Sequence, residues 1–600
     1  MHGRLAKGVA MSSITTAHFP AQPWRPAHWP FRISDGLGFY LRWTARVWLV
    51  AATTIFTVMA LRGGMPRGLD QESWEVSIQL ALFGVVVLGE ILAWRWQAMG
   101  ASVITVGAAG LGALAAIQHS PPEAIMIGQI FFIPAFLYWL DWQRTQPVKT
   151  IITLALALSM ILGAALYTTY EVYATYMGPS HPESSLTPLP VTVLEWVWSG
   201  SLTDDSVSVT ARIADDSEAV YLLVSDSSDM SNPERIGPLA ASAGENLRVV
   251  NFAVDGLDPD TDYYYEVEVD GQVDAARQGQ FHTPGVAAHS FSFAAGSCAL
   301  TDSTGQVYDA IRDLDPLFFL ITGDIAYVNI GENDPELFHD AYTTFLTSPA
   351  QSALYRSQPT VYMWDDHDYG PNDSDRTSPS REAAQTVYRE WAPSYPLAVE
   401  GDTGPIYQAF TIGRVRFIVT DGRSEKSPAS DPDNAEKSMF GAEQKDWLKQ
   451  QLLDAKGKYP LIVWVQSVPW IADKEAGADN WGGYTTERAE LANFIADNQI
   501  EGLLMISGDA HMLAIDDGTN SDYSTSGGAG FPVFHAAPLD RPGNPKGGPY
   551  SEGIHTSGGQ FGLVTVEDNG ATIDVTLSGR TYEEDEVMRY SFTVPAASGE

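Results

Sequence analysis

Asp365, Asp366, His367 and Asp368 stand in a row after a short apolar run, residues 361–364, and the chain then leaves through Gly370 and Pro371. Three acids and an imidazole side by side repel one another unless cations offset them, so a metal is the simplest occupant. Taken alone, such a run equally suits a solvated loop. Two other apolar runs end the same way. Residues 317–322 lead into Gly323, Asp324 and Tyr327, and residues 503–507 lead into Gly508, Asp509 and His511. Ligands of open α/β sheets bind in the crevice outside the carboxyl ends of the strands, so three such ends would converge on one site.

The elements that must position these residues read as an α/β layered domain over residues 287–600. Strands are expected at 291–295, 317–322, 461–465 and 503–507. Val307, Ile311 and Leu314 recur at helical spacing. Ser378 and Pro379 suit a capping serine followed by a first-turn proline, and so predict a helix start. The stretch 441–456, with Trp447, Leu448 and Leu452, is amphipathic; 487–498 is a further helix, and strands at 561–566, 571–577 and 589–594 close the chain. Upstream, Pro- and Ser-rich residues 177–190 read as a linker. Alternating strands at 206–213, 220–224 and 249–254, separated by Asp/Ser/Gly turns, then predict a β-sandwich over 191–286.

Residues 1–176 differ in kind. They hold 11 Lys and Arg against 8 Asp and Glu, whereas the remainder holds 24 against 66 and so carries the acidity of a chain whose net charge is −39. So acidic a surface repels phosphate backbones and excludes nucleic acid as a partner. The one cysteine, Cys298, excludes an intrachain disulfide framework and a four-cysteine zinc site. After a basic segment, 1–40, five apolar stretches with few charges (43–61, 76–94, 99–117, 124–140 and 151–170) have the length of spanning helices and predict a transmembrane region over 41–176. Arg4, Lys7, Arg25, Arg32 and Arg42 on the amino-terminal flank would place that end in the cytoplasm. With an odd number of spans, everything after Tyr170 would then lie outside. Glu90, near the end of the second stretch, is assigned no role.

Two resemblances attach to these patterns. Gly256 to Tyr263, Gly-Leu-Asp-Pro-Asp-Thr-Asp-Tyr, resembles the corner of a fibronectin type III domain, with Tyr263 as its tyrosine. Gly296-Ser-Cys298, Gly323-Asp-x-x-Tyr327, Trp364-Asp-Asp-His367 and Ser507-Gly-Asp-x-His511 together resemble the alkaline phosphatase D (PhoD-like) branch of the calcineurin-like metallophosphatases. Asp421-Gly-Arg423, Val468-Pro-Trp470 and Trp481-Gly-Gly-Tyr484 extend the match in order. Each motif is weak, and the ordered set is specific.

The resemblance implies a four-layer fold, two mixed sheets flanked by helices, with a di- or trinuclear metal centre at the strand ends. The whole chain would then be multidomain: a helical transmembrane region, a small all-β sandwich and this α/β domain. Asp324 is the expected bridging carboxylate, with a hydroxide between the metals as nucleophile. Tyr327 and Cys298 suit a ferric iron, although a lone cysteine would equally suit a buried apolar position. Asp366, Asp509 and His511 are further expected ligands, and Asn372 another candidate.

Oxygen donors replace most of the superfamily's imidazoles, which favours calcium beside the iron, with magnesium, manganese or zinc as alternatives. His367 is expected to protonate the leaving alkoxide or orient the phosphate, and Arg423 to clamp it. The implied function is membrane-anchored, extracytoplasmic hydrolysis of phosphate esters. One alternative is a phosphodiesterase of phospholipase D type acting on lipid or cell-wall diesters, for which a lipid bilayer would be a partner. The other is a silent membrane sensor of phosphate or calcium.

Overall fold

A computed structural model describes residues 36–61, 73–118, 121–144, 182–217, 219–241 and 248–595, together with 159 and 163. The chain divides into two compact units, the first comprising residues 1–115 and 119–167, the second 168–600 with the short piece 116–118.

Among the described residues the first unit contains helices Gly36–Leu61, Ser73–Ala93, Gln97–Gln118 and Pro121–Gln143. Ala45, Leu49, Val86, Ile104, Phe131 and Tyr138 form its core. Among the described residues no helix is long and apolar enough to cross a membrane, which overturns the expected multi-span region and the multi-pass localisation, and leaves the orientation, the bilayer as partner and the extracytoplasmic placement without the spans they were read from. The physical reason is that absence of charge is not apolarity. Gly, Ala, Thr and Gln fill much of Gln97–Gln118, and the fourth helix carries Pro134 and Asp141. Charged groups also lie inside the unit, where Arg42 reaches Asp141 at 2.9 Å and Arg46 lies over the Trp94 ring at 4.5 Å. The expected fifth span, 151–170, falls outside the described residues apart from 159 and 163.

Among the described residues the second unit has three sheets, of nine, seven and five strands, and the first two carry the site. Parallel strands Phe291–Gly296, Phe319–Thr322 and Thr360–Met363 form the centre of a nine-stranded sheet, and Val415–Val419, Leu461–Val465, Leu503–Ser507 and Val533–Ala536 run parallel in a seven-stranded one. Side chains of a strand alternate between faces. In Leu461–Val465 this sends Leu461, Val463 and Val465 into the core between the sheets, while Ile462 and Trp464 face a second core with Leu448, Leu452, Leu491 and Ile495. These last four lie on helices Gly441–Ala455 and Thr485–Asp497. Both strand faces are therefore buried, the condition under which a strand reads as a continuous apolar run. Phe318 and Phe417 meet between the sheets with ring centroids 5.6 Å apart. Helices Val307–Asp313, Pro335–Thr347, Pro349–Ser357 and Arg381–Trp391 contribute to the same large core, giving the expected four-layer order of helices, sheet, sheet and helices.

Two sequence expectations are corrected here. The helix expected from Ser378 begins at Arg381, because the Ser378 hydroxyl bonds that of Ser380 at 2.8 Å and Ser380 in turn donates to the Tyr369 carbonyl. The independent fibronectin type III-like module is not supported either. Its strands Leu194–Gly200, Ser206–Ile213 and Val249–Asp255 continue the nine-stranded sheet, since Gly200 pairs in parallel with Thr360. Trp198 is fully buried and donates its indole N–H to the Trp391 carbonyl. Tyr263 accepts the Asp258 N–H at 2.9 Å, a contact that fixes the local turn and carries no family assignment by itself.

The junction at Gly200 is tight: a Cβ there would meet the Pro393 and Thr360 carbonyl oxygens at 2.4 and 2.6 Å. Gly200→Ala should therefore destabilise the second unit by about 1–3 kcal/mol, read as a lowered denaturant midpoint. An unchanged midpoint would show that the junction is not constrained.

Candidate metal centre

Three of the strand ends turn through the same backbone conformation. Cys298, Asp324 and Asp509 have φ of 61, 54 and 61°, in the left-handed region that side chains other than glycine rarely adopt. Each costs on the order of 1 kcal/mol, which is typical of sites where geometry is imposed by the surrounding structure. Gly323, at φ 98°, lies against the next strand end, where a Cβ would sit 2.7 Å from the Asp365 nitrogen. The two sheets meet at Gly508, whose Cβ would fall 2.5 Å from the Ser297 hydroxyl and 2.8 Å from the Thr322 carbonyl. The carboxyl ends of both sheets thus open on one crevice.

Within it, Cys298 Sγ is 3.7 Å from Asp324 Oδ2, and Asp324 Oδ1 accepts the His367 N–H at 3.3 Å. The Tyr327 hydroxyl lies 2.9 Å from His511 Nε2, while His511 Nδ1 lies 2.9 Å from the Pro542 carbonyl. A carbonyl only accepts, so Nδ1 carries the proton and Nε2 presents its lone pair. Donor atoms of Asp324, Asp366 and His367 lie within 4.8 Å of one another, as do those of Asp366, Asp373 and Asp479. Asp366 is common to both groups. Its Oδ2 accepts the Asp373 N–H at 2.6 Å, and its Oδ1 is buried with no hydrogen-bond partner among the described residues.

Electrostatics points the same way. Burial, reinforced by the charges of Asp366, Asp365, Asp368 and Asp509, pushes the Asp324 carboxyl well above its ordinary range. Burial and then the Asp324 charge push the Cys298 thiol and the Tyr327 phenol up as well. These donors cannot ionise together without added positive charge. An orphaned carboxylate oxygen beside them is what a multivalent cation would satisfy, so the residues present fit a metal centre.

The structure brings together Cys298, Asp324, Tyr327, Asp366, His367, Asp509 and His511. Asn372 stands half-buried beside Asp373, and it is the Asp373 carboxylate that joins the acidic group. Arg423 is fully buried, with Nε 2.5 Å from Asp365 and Nη1 2.7 Å from Asp479. Its Nη2, 3.7 Å from Asp366, makes no hydrogen bond. That placement suits a guanidinium that balances and orients these carboxylates.

Sequence reasoning missed several participants. Asp368 accepts the Asp324 N–H at 2.8 Å and the Tyr362 hydroxyl at 2.8 Å, and was visible as the last acid of the row. Asp479, bonded to Arg423 and to Lys426, and Lys546, 2.7 Å from Asp509, lie in irregular loops with no periodic signal. Arg541 covers the Tyr327 ring at 4.4 Å. His535, on strand Val533–Ala536, is buried 3.1 Å from the Ser507 hydroxyl.

With this geometry in place, known proteins can be compared. The family model described as PhoD-like phosphatase matches residues 293–572, and one described as a domain of unknown function (DUF7670) matches residues 34–150. Alkaline phosphatase D of Bacillus subtilis (strain 168) is 23% identical over 419 residues, 60% of this chain and 69% of that protein. A solved structure of PhoD is similar in fold, with a TM-score of 0.53 and 17% identity, covering 70% of this chain and 94% of that one.

The buried histidines give a test of the crevice's electrostatics. Burial depresses His535 to about 4, so the folded protein binds this proton more weakly than the unfolded chain. The stability linked to His535 is present above the unfolded value near 6.5 and lost as pH falls toward 4. Buried acids such as Asp365, raised to about 6 mainly by burial, act in the opposite sense, so the comparison must be between variants. Between pH 7 and 4 the unfolding free energy of the metal-free protein should fall by on the order of 2–3 kcal/mol more than that of His535→Gln. Parallel pH profiles in urea unfolding would refute this.

Proposed function

We propose that residues 293–572, which match the PhoD-like phosphatase model, form a metal-dependent phosphoric ester hydrolase, and that the crevice at the carboxyl ends of the two sheets is where it hydrolyses phosphate esters. The observation that carries this reading is the meeting of Cys298, Asp324, Tyr327, Asp366, Asp509 and His511 from separate segments. Bound metal would stabilise charge on the attacking and leaving oxygens and lower the pKa of water.

Donor chemistry divides the proposed ligands. A thiol and a phenol beside Asp324 suit ferric iron, whereas the all-carboxylate group of Asp366, Asp373 and Asp479 suits calcium. Asp366, shared by both donor groups, is better placed than Asp324 to bridge. Asn372 is left as a peripheral candidate. Arg423 acts as a positioning residue: it holds Asp365 and Asp479 and so sets the direction of Asp366.

His367 is the proposed proton carrier. Its Nδ1 lies 2.6 Å from Asn329 Oδ1, an acceptor, so Nδ1 keeps its hydrogen and Nε2 is left to exchange a proton. Burial depresses the ring to about 4, leaving it neutral at pH 7. It would take a proton released at the attacking water and return it to the leaving alkoxide as the P–O bond breaks. The ring is held by Tyr327, 4.0 Å away between centroids. Lipid diesters drew their support from an expected bilayer, and that support is gone.

Asp324→Asn and His511→Ala should each lower hydrolysis of an aryl phosphate by more than about a hundredfold while leaving the protein folded, and should reduce bound metal in elemental analysis. Full activity in either variant would remove the assignment. Rates on an aryl phosphate monoester and its bis-aryl diester, measured side by side, determine which ester class the crevice prefers.

A further inference from the structure

After strand Val533–Ala536 the chain runs through residues 537–553 with little regular structure, past the residues that flank Cys298 and past His511. It is tied at each step. The Leu539 N–H donates to the Ser297 carbonyl at 2.9 Å, and Asp540 accepts the Leu300 N–H and the Ser303 hydroxyl. Asn544 and His511 exchange backbone hydrogen bonds of 3.0 and 3.2 Å, while the Pro542 carbonyl holds His511 Nδ1. Further along, the Gly548 N–H donates to the Ile471 carbonyl at 2.8 Å. A segment fixed at this many points holds its side chains in place beside the metal centre.

Two of those side chains are cationic, and they differ. Lys546 Nζ is already occupied, 2.7 Å from Asp509. The Arg541 guanidinium lies over the Tyr327 ring at 4.4 Å and enters no ion pair or hydrogen bond among the described residues. Only its Nε is shut off from water, and the residue as a whole is half-exposed, so its terminal nitrogens are open to solvent. Its neighbour Asp540 feels its charge but is turned to Leu300 and Ser303.

Position gives this free fork its consequence. Tyr327, which Arg541 covers, also touches the two histidines of the crevice, with its ring centroid 4.0 Å from that of His367 and its hydroxyl 2.9 Å from His511 Nε2. The charge of Arg541 acts on both imidazoles. Arg423, on the inner side, is fully buried and bonded to Asp365 and Asp479. A guanidinium that is anchored through its stem, stacked on one face and open at its tips is arranged to meet an anion arriving from solvent.

We propose that Arg541 contacts the phosphoryl group of the substrate and discriminates between ester classes; this rests on the reading of the crevice as a phosphate ester hydrolase. The planar fork matches two oxygens of one phosphate. A monoester at neutral to alkaline pH brings three non-bridging oxygens and two negative charges, and a diester brings two oxygens and one charge. Arg541 therefore has more to hold in a monoester, and its removal costs that class more.

The test compares the metal-loaded full-length protein with Arg541→Ala and Arg541→Lys on an aryl phosphate monoester and its bis-aryl diester, and titrates each protein with inorganic phosphate. Arg541→Ala should lower kcat/KM for the monoester by about ten- to a hundredfold, the size of a lost charge-assisted hydrogen bond, and lower the monoester-to-diester ratio of kcat/KM by about tenfold. Inorganic phosphate should bind about tenfold more weakly, with bound metal unchanged in elemental analysis. Arg541→Lys keeps the charge without the fork and should fall between parent and Arg541→Ala. Should Arg541→Ala lose its metal or fail to fold, Arg541→Lys replaces it and should lower the ratio by about threefold or more. An unchanged ratio, or unchanged phosphate binding, would overturn the proposal while leaving the hydrolase reading in place. A parent protein that hydrolyses neither ester would remove that reading instead. Arg541 would then be judged on phosphate alone, weaker binding in Arg541→Ala supporting the contact and equal binding overturning it.

Discussion

Asp324, Asp365, Asp366, Asp368 and Asp509 are all buried in one crevice, and carboxylates in that number cannot share a low-dielectric volume unless positive charge is brought to them. Much of the second unit can be read as a response to that repulsion. Arg423 and Lys426 come from the segment after strand Val415–Val419, and Lys546 from a loop after strand Val533–Ala536. Backbone N–H groups help as well, those of His367 and Asp373 donating to Asp324 and Asp366. These fixed donors offset only part of the charge. The Asp324 carboxyl stays well above its ordinary range, and Asp366 Oδ1 and Asp365 Oδ2 remain without hydrogen bonds among the described residues. What is left over is the room a metal would occupy.

Holding such a site requires a stiff support, which the layered architecture provides. The strands that deliver the acids are buried on both faces, so neither sheet can shift without disturbing packed side chains on both of its sides. Left-handed turns at Cys298, Asp324 and Asp509 concentrate backbone strain where donors must point inward. Strands Leu194–Gly200, Ser206–Ile213 and Val249–Asp255 extend the same sheet beyond Thr360–Met363, so part of the segment that looked like a spacer buttresses the strand from which Asp366 and His367 emerge. Gly200 allows this pairing because any Cβ there would run into two carbonyl oxygens.

How much of this was legible in the sequence follows from how each signal is encoded. Buried parallel strands are continuous apolar runs, so the runs ending in Gly323-Asp324, in Asp365 to Asp368 and in Gly508-Asp509 could be found, and with them most of the donors. Residues that reach the crevice from irregular loops, Asp479 and Lys546 among them, leave no periodicity to read. The full burial of Arg423 was not legible because sequence does not tell a solvent-facing guanidinium from one with no exposure. The expected membrane spans failed for a different reason. Uncharged length was counted as apolarity, whereas Gly, Ala and Thr contribute little to transfer into hydrocarbon, and Arg46 and Asp141 prove to be buried within their own unit.

The same accounting of charge separates Arg423 from Arg356. Both guanidiniums carry nitrogen that makes no hydrogen bond, but Arg423 is held between Asp365 and Asp479, and its remaining nitrogen lies 3.7 Å from Asp366. Its lone N–H is therefore a consequence of geometry within an ion network already rich in carboxylates. Arg356 has no carboxylate paired to it, and the two arginines nearest in its electrostatic surroundings, Arg277 and Arg312, each have their own aspartate. An unsatisfied nitrogen in the first setting calls for nothing beyond the protein. In the second only Nε is shut off from water without a partner, and the partly buried side chain leaves its terminal nitrogens to be solvated, so that setting too calls for no counterpart from outside the chain.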